Sequence, residues 1–240
     1  KKKINIVFFS SGNEISENNQ IARWKIRNSN YYYLKSLNYN FLFDFKNLGI
    51  LRDKDENKFY KKLLKILKSK TNIIITSGAV SAGKFDFIPG IIKDFKLAYF
   101  FKGVAIRPGK PILFTKFKNK NIAFFGLPGN PISSAACFRF FVFPFLFTSL
   151  NIKKEKPFKA KLKNNFIKKK NFTRFIKGKI SFSNKGLIEF EVLRGQESFR
   201  INSFTKANSW GFFPSGKSKF KKGQFIDCFT ALPKDEKLIN

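Results

Sequence analysis

No histidine occurs anywhere in the 240 residues, and methionine is missing as well. Without His, a Ser–His triad and a His/Cys zinc site are both excluded, so any catalysis must use carboxylates, cations, hydroxyls and backbone groups. The two cysteines, Cys137 and Cys228, lie far apart and have no metal-ligand spacing. Acidic residues are scarce too: 15 Asp and Glu stand against 48 Lys and Arg, for a net charge of +33. Such a charge invites a nucleic-acid reading, because cations that neutralise phosphates release counterions. The distribution argues otherwise. Only 8 of the cations are Arg; the Lys excess is spread along the whole chain together with abundant Phe, Ile and Asn, the joint bias of an A+T-rich coding sequence. The basic runs 1–3, 168–170 and 217–222 therefore read as solvated surface, and no nucleic-acid partner is expected. No apolar run is read as reaching the ~18 residues of a membrane span, and no signal peptide opens the chain. The Phe-rich run 138–150 contains Arg139 and Pro144 and reads as a buried helix. A cytoplasmic protein with no membrane partner is expected, and the missing initiator Met suggests a piece of a longer chain.

What is present is enough apolar material for a real core: 43% of residues are hydrophobic and 18% aromatic, which excludes disorder. Residues 4–10 form a short β-rich run that stops at a turn-forming loop, 11–14. Asn28, Ser29 and Asn30 then offer N-caps to a helix over 31–38. A strand is predicted over 41–48, a helix over 59–68 with Leu63, Leu64 and Leu67 recurring at helical spacing, and a doubly buried strand over 72–76. A helix near 87–96, a strand near 98–106, an edge-like strand 112–117, a strand 121–125 and a helix from 131 to about 150 complete the series. This alternation predicts an α/β domain, a mostly parallel sheet with helices on both faces, over 1–152. Beyond it the texture changes to short alternating runs, 172–182 and 187–193, punctuated by Gly178, Gly186, Gly195, Gly211 and Gly223, as in a small all-β domain over 153–240.

In a parallel sheet ligands gather at the carboxyl ends of the strands, and the distinctive loops leave those ends. Ser77, Gly78, Ser81 and Gly83 lie on a small-residue loop whose N–H groups and hydroxyls suit an oxyanion; it lacks the Gly-Lys-Ser/Thr ending of a P-loop. Asp86 follows it and either caps the next helix or holds a divalent cation. Asp53 and Glu14 face the same choice between metal work and surface charge, and three carboxylates at one edge favour a shared cation. Arg107 and Lys110 sit on the stiff turn Arg107-Pro108-Gly109-Lys110-Pro111, which suits an oxyanion. Pro128, Gly129, Asn130 and Pro131 form a rigid loop with Pro131 at a first helical position, able to present backbone groups to a flat heterocycle.

Taken in order, 8–14, 50–53, 77–83, 107–111 and 126–131 resemble the molybdopterin molybdenumtransferases, the family of the bacterial MoeA proteins and the E domain of gephyrin. The resemblance covers nearly the whole chain. It implies a transferase in molybdenum cofactor biosynthesis that hydrolyses adenylylated molybdopterin with release of AMP and transfers molybdate to the pterin dithiolene, assisted by Mg2+. It also implies a homodimer. Glu14, Asp53, Asp86 and Arg107 take the positions of catalytic residues, with Asp53 and Asp86 as metal ligands. Ser77, Gly78, Ser81, Gly83, Lys102, Lys110, Pro128, Gly129, Asn130, Pro131, Arg174 and Ser198 take those of substrate-binding residues. The sequence departs from the family at Asn13, where Asp is usual, and a second family cation falls on either Lys102 or Gly103. Two N-terminal subdomains that complete the family's active site across the dimer are expected to be missing. The alternatives are a related molybdopterin-binding protein of adenylyltransferase type and a non-catalytic scaffold.

Overall fold

The computed structural model describes residues 3–18, 20–38, 42–80 and 86–233. Two compact units emerge: Lys1–Val104 with Pro111–Phe138, and Ala105–Lys110 with Arg139–Asn240. The sequence reading divides the chain at 152/153.

The first unit runs β1 (Ile4–Ser11), β2 (Ile15–Ser16), β3 (Ile26–Arg27), α1 (Ser29–Ser36), β4 (Phe43–Leu51), α2 (Glu56–Ile66), β5 (Ile73–Ser77), α3 (Ile88–Lys93) and β6 (Leu97–Lys102). After β7 (Ile106–Arg107), which belongs to the second unit, it continues with β8 (Leu113–Phe117), β9 (Ala123–Leu127) and α4 (Pro131–Cys137). Its six-stranded sheet has the order β4-β1-β5-β9-β8-β6. The first four strands are parallel, β8 is antiparallel to β9, and β6 is antiparallel to β8. The sheet is therefore mostly parallel, as the βα alternation requires.

Helices cover both faces because successive side chains of a strand point to opposite sides. On β1, Phe9 meets Phe59 of α2 edge-on at 5.6 Å, while Phe8 meets Tyr31 of α1 at 5.7 Å. On α2 the buried residues are Phe59, Leu63 and Ile66, one face of a 3.6-residue period. Leu64, which shares the helical spacing of Leu63 and Leu67 in the sequence, is 40% exposed.

Four local expectations are corrected. Asn28 flanks α1 but makes no side-chain cap bond; its amide instead accepts from Ser10 Oγ at 2.7 Å and donates to Glu17 at 2.8 Å. The residue flanking α3 is Phe87, which makes no side-chain cap bond, so the cap position falls one residue past Asp86. The segment read as an edge, β8, is interior, with Leu113, Thr115 and Phe117 buried, and β6 is the edge strand. The strand read over 98–106 is two elements, because the backbone turns at Gly103 (φ 82°), a left-handed conformation that suits glycine.

The second unit contains a π-helical turn (Phe138–Val142, beginning one residue before it), α5 (Phe143–Ser149), β10 (Phe158–Leu162), β11 (Phe166–Ile167), β12 (Thr173–Phe182) and β13 (Ile188–Val192). There follow α6 (Ile201–Thr205), β14 (Ser209–Phe213), β15 (Lys219–Phe220) and β16 (Phe225–Thr230). Its sheet runs β13-β10-β16-β14-β12-β7, and a β13–β12 pairing closes five strands into a ring. Phe190 lies at the centre, fully buried. Gly178 and Gly211 are not the turn punctuation expected of them but lie inside β12 and β14, where a Cβ would fall 2.7 Å or less from the Phe190 ring.

The helical run Pro131–Ser149 has 19 residues and a mean hydropathy of 1.5, so it is long and apolar enough to cross a membrane, contrary to the sequence reading. Within it 67% of the most apolar stretch is buried, the pattern of a core helix.

Candidate functional site

In the first unit β1, β4, β5 and β9 end on one sheet edge, with Ser11 opposite Leu51, Ser10 opposite Ser77, and Ser77 opposite Leu127. The chain leaves β1 toward β4 on one side and β5 on the other, so the crevice between β1 and β5 is the topological switch point, the usual ligand position in such sheets. Lys102 ends β6 on the same edge, two strands beyond β9, and is exposed.

The loops at this edge are tied to one another. Asn30, on α1, donates to Ser77 Oγ at 2.5 Å and to the Gly129 carbonyl at 2.8 Å, bridging the loops after β5 and β9. Ser77 Oγ lies 3.4 Å from the Pro128 carbonyl, and the Gly78 N–H donates to Leu127 at 2.9 Å. Gly78 has φ 98°, and a Cβ there would lie 2.6 Å from the Ser11 carbonyl oxygen. A Cβ on Gly129 would lie 3.6 Å from the Gly78 Cα, so two glycine backbones face each other without side chains between them. Asn130 caps α4, accepting from the N–H groups of Ile132 and Ser133 at 3.1 and 3.3 Å, and Pro131 takes the first helical position where its missing donor costs nothing. Ser77, Gly78 and Asn130 thus spend their polar groups on loop geometry, whereas Gly129 is exposed. Ser81 and Gly83 lie outside the described residues.

On the β1 and β4 side, Arg52 donates to the carbonyls of Gly12, Asn13 and Ile15 at 2.9, 3.2 and 2.9 Å, folding the first loop onto the second. Asn13 donates to Asp53 Oδ2 at 2.7 Å. The Asp usual in the family at this place would repel Asp53; Asn bonds to it. The Glu14 carboxylate packs against Gly12, whose φ is 137° and where a Cβ would collide with it. Glu14 has no side-chain partner among the described residues, and Asp86 is half-buried. Among the described residues no three His, Cys, Asp or Glu side chains converge to hold a metal, so Glu14, Asp53 and Asp86 do not form the shared three-carboxylate cluster expected.

The second unit holds the cations. Pairing of β7 with β12 sets Arg107 opposite Arg174. The Arg107 guanidinium lies 4.8 Å and the Lys110 ammonium 6.0 Å from the Phe172 ring centre, cation–π contacts that hold both near one aromatic face. Burial, and then the Arg107 charge, push the Arg174 guanidinium below its usual pKa, with Glu197 opposing. Arg174 Nε is buried without a hydrogen-bond partner among the described residues. Burial, followed by the Arg174 charge, also lowers Lys168, whose ammonium donates to the Phe172 carbonyl at 2.8 Å. Two cations on one ring, coupled by charge to Arg174 and through it to Lys168, with one Arg174 donor unsatisfied among the described residues, suit an anion. Ser198 lies on the loop after β13 and makes no hydrogen bond among the described residues.

Sequence reasoning missed Asn30 as a bridge, Arg52 as a clamp and the buried Lys177 discussed below. Asn30 was visible only as a helix-cap candidate, and Arg52 only as a neighbour of Asp53.

Comparison with known proteins finds two family regions on the chain. The family described as a probable molybdopterin binding domain matches residues 8–148, and the MoeA C-terminal region, domain IV, matches 159–233. The chain is 29% identical over 232 residues to a molybdopterin molybdenumtransferase of Synechocystis, covering 95% of this chain and 55% of that protein. It is 31% identical over 231 residues to one of Staphylococcus aureus, covering 94% and 54%. The chain thus spans about half the length of the curated relatives it matches. A crystal structure of the molybdopterin biosynthesis MoeA protein of Pyrococcus horikoshii superposes with a TM-score of 0.73 at 22% identity, over 97% of this chain and 55% of that one, a likeness of fold. With a probable molybdopterin binding domain followed by the MoeA domain IV, the chain belongs to the molybdopterin molybdenumtransferase, MoeA-type family.

Proposed function

We propose that this chain is the pterin- and oxyanion-binding part of a molybdopterin molybdenumtransferase in molybdenum cofactor biosynthesis. In that reaction adenylylated molybdopterin is hydrolysed to release AMP, and molybdate passes to the pterin dithiolene. The observation that carries the reading is the bridge from Asn30 to Ser77 and Gly129, which fixes two facing glycine backbones at the switch point of the parallel sheet. A surface without side chains lets a flat heterocycle approach backbone groups closely, and its rigidity lowers the entropy lost on binding. Pro128 and Pro131 flank that surface.

Arg107, Lys110, Arg174 and Ser198 are the groups for molybdate, and Lys102 supplies a further cation at the sheet edge. Mg2+ is commonly held by one or two carboxylates together with substrate phosphates. Asp53 fits that mode, with one oxygen bonded to Asn13 and the other free among the described residues, and would hold the ion together with Asp86, the second carboxylate that the family resemblance implies. When bound it would neutralise the phosphoanhydride oxygens. Glu14, without a side-chain partner among the described residues, is the carboxylate that takes the proton of the attacking water. The whole protein acts in this reading as a cytoplasmic homodimer, without nucleic-acid or membrane partners. In the full-length protein Asp86→Asn should keep its circular dichroism spectrum and lose metal-dependent AMP release; unchanged turnover would remove Asp86 from the mechanism.

A further inference from the structure

A lysine ammonium is seldom shut away from water unless a carboxylate neutralises it. Lys177, in β12, is 1% exposed and makes no ion pair among the described residues. Its three N–H donors go instead to three backbone carbonyls, of Gly195 at 2.9 Å, Glu197 at 3.2 Å and Arg200 at 3.3 Å. All three belong to the loop between β13 and α6. Gln196 completes the attachment: its Nε2 donates to the carbonyls of Lys177 and Leu193 at 2.7 Å each, and its Oε1 accepts from the Lys177 N–H at 3.0 Å. Ser203 Oγ lies 2.5 Å from the Gly195 carbonyl and 2.8 Å from that of Arg200. The loop is wrapped around the ammonium as a loop is wrapped around a bound cation.

We infer that Lys177 is a positioning residue, an internal cation that holds the 195–200 loop in the one conformation that presents Ser198 for oxyanion binding. The inference rests on the proposed molybdate site for its functional half. Two consequences of the geometry support it. The loop carries Glu197, whose charge acts on both Lys177 and Arg174, so its position affects the cation cluster directly. Removing the ammonium would leave three carbonyl dipoles facing one another without the charge that offsets them, the Gly195 and Arg200 carbonyls sharing only the Ser203 hydroxyl and that of Glu197 keeping only the Arg200 N–H, so the loop would loosen.

The test uses this 240-residue chain, molybdate as the calorimetric probe, and amide hydrogen exchange as a separate readout of the loop. Lys177→Met, which keeps the length and removes the donors, should speed exchange at 195–203 at least tenfold, leave β14 and β16 protected, and raise the molybdate Kd tenfold or more. Lys177→Gln, which keeps two N–H donors, should recover part of both losses. Lys179→Met, which removes an exposed charge from the same strand, should change neither. Unchanged loop exchange in Lys177→Met, or a loss of protection spread evenly over the second unit, would overturn the positioning role. Should Lys177→Met not fold, Lys177→Gln and Gln196→Ala carry the same test, and wild-type loop protection in both would overturn it. The underlying oxyanion reading fails separately: Arg174→Ala with wild-type molybdate affinity would refute that reading while leaving the loop-exchange result intact.

Discussion

The sheet edge of the first unit and the cation cluster of the second take opposite routes to a binding surface. At the sheet edge the loops are held by neutral amides and hydroxyls, Asn30, Ser77 and Asn130, and by two facing glycine backbones, of which Gly78 is buried and Gly129 exposed. In the second unit Arg107 and Lys110 lie over the Phe172 ring, Arg174 is paired opposite Arg107 by strand register, and Lys168 donates to the Phe172 carbonyl. The first suits a flat, weakly charged heterocycle and the second a compact oxyanion. The contrast also shows how little the net charge of +33 says by itself: in the proposed function that charge is used by a few buried or stacked cations, not by the many solvated lysines.

The largest effect should come from removing charge in the second unit. Arg174→Ala deletes a partly buried cation, and since hydrogen bonds to charged groups contribute ~1.5–3 kcal/mol, molybdate affinity measured by calorimetry should fall about 10- to 100-fold. Equal loss on Asn30→Ala would erase the distinction between the two regions. Next, Asn30→Ala removes bonds to Ser77 and Gly129, each contributing about 1 kcal/mol. Chemical denaturation should show the first unit destabilised by roughly 2 kcal/mol, and in the full-length protein KM for adenylylated molybdopterin should rise while molybdate affinity holds.

Gly78→Ala sharpens the same region with a smaller change. Its φ of 98° and the carbonyl of Ser11 close to any added Cβ together predict a loss of about 1–3 kcal/mol, checked by the midpoint of unfolding. A wild-type midpoint would mean that the loop can turn without that strain. A last effect is one of pH. Burial lowers Lys177 to about 8 from the ordinary 10.5, so below pH 8 the folded state carries the cost of the buried charge. Between about pH 8 and 10.5 the unfolded chain binds the extra proton, and stability should rise with pH there relative to Lys177→Met. A parallel pH profile in the variant would remove Lys177 as the source.

Much of the architecture was legible in the residues. The Ile run of β5, the Pro-Gly-Asn-Pro loop and the βα alternation each carry a local physical reason, and each appears where that reason puts it. What escaped depended on distant partners. Asn30 is a cap candidate in sequence and becomes a bridge only because β5 and β9 are neighbours in the sheet. Gly178 and Gly211 look like turns until Phe190, from another strand, occupies the space of their missing side chains. Lys177 is one Lys among many, and only the path of the loop after β13 encloses it. Asp86 is open in sequence between helix cap and cation ligand, and the structure puts Phe87, not Asp86, at the flanking position. For the carboxylates, the sequence places three near one edge, but neither spacing nor composition says whether their side chains converge.

The most direct measurement is AMP release from adenylylated molybdopterin by the full-length protein, with and without molybdate. The account predicts release that requires molybdate, is strongly reduced by Arg174→Ala, and keeps its molybdate dependence in Asn30→Ala. Release indifferent to molybdate, or wild-type release from Arg174→Ala at limiting molybdate, would contradict it.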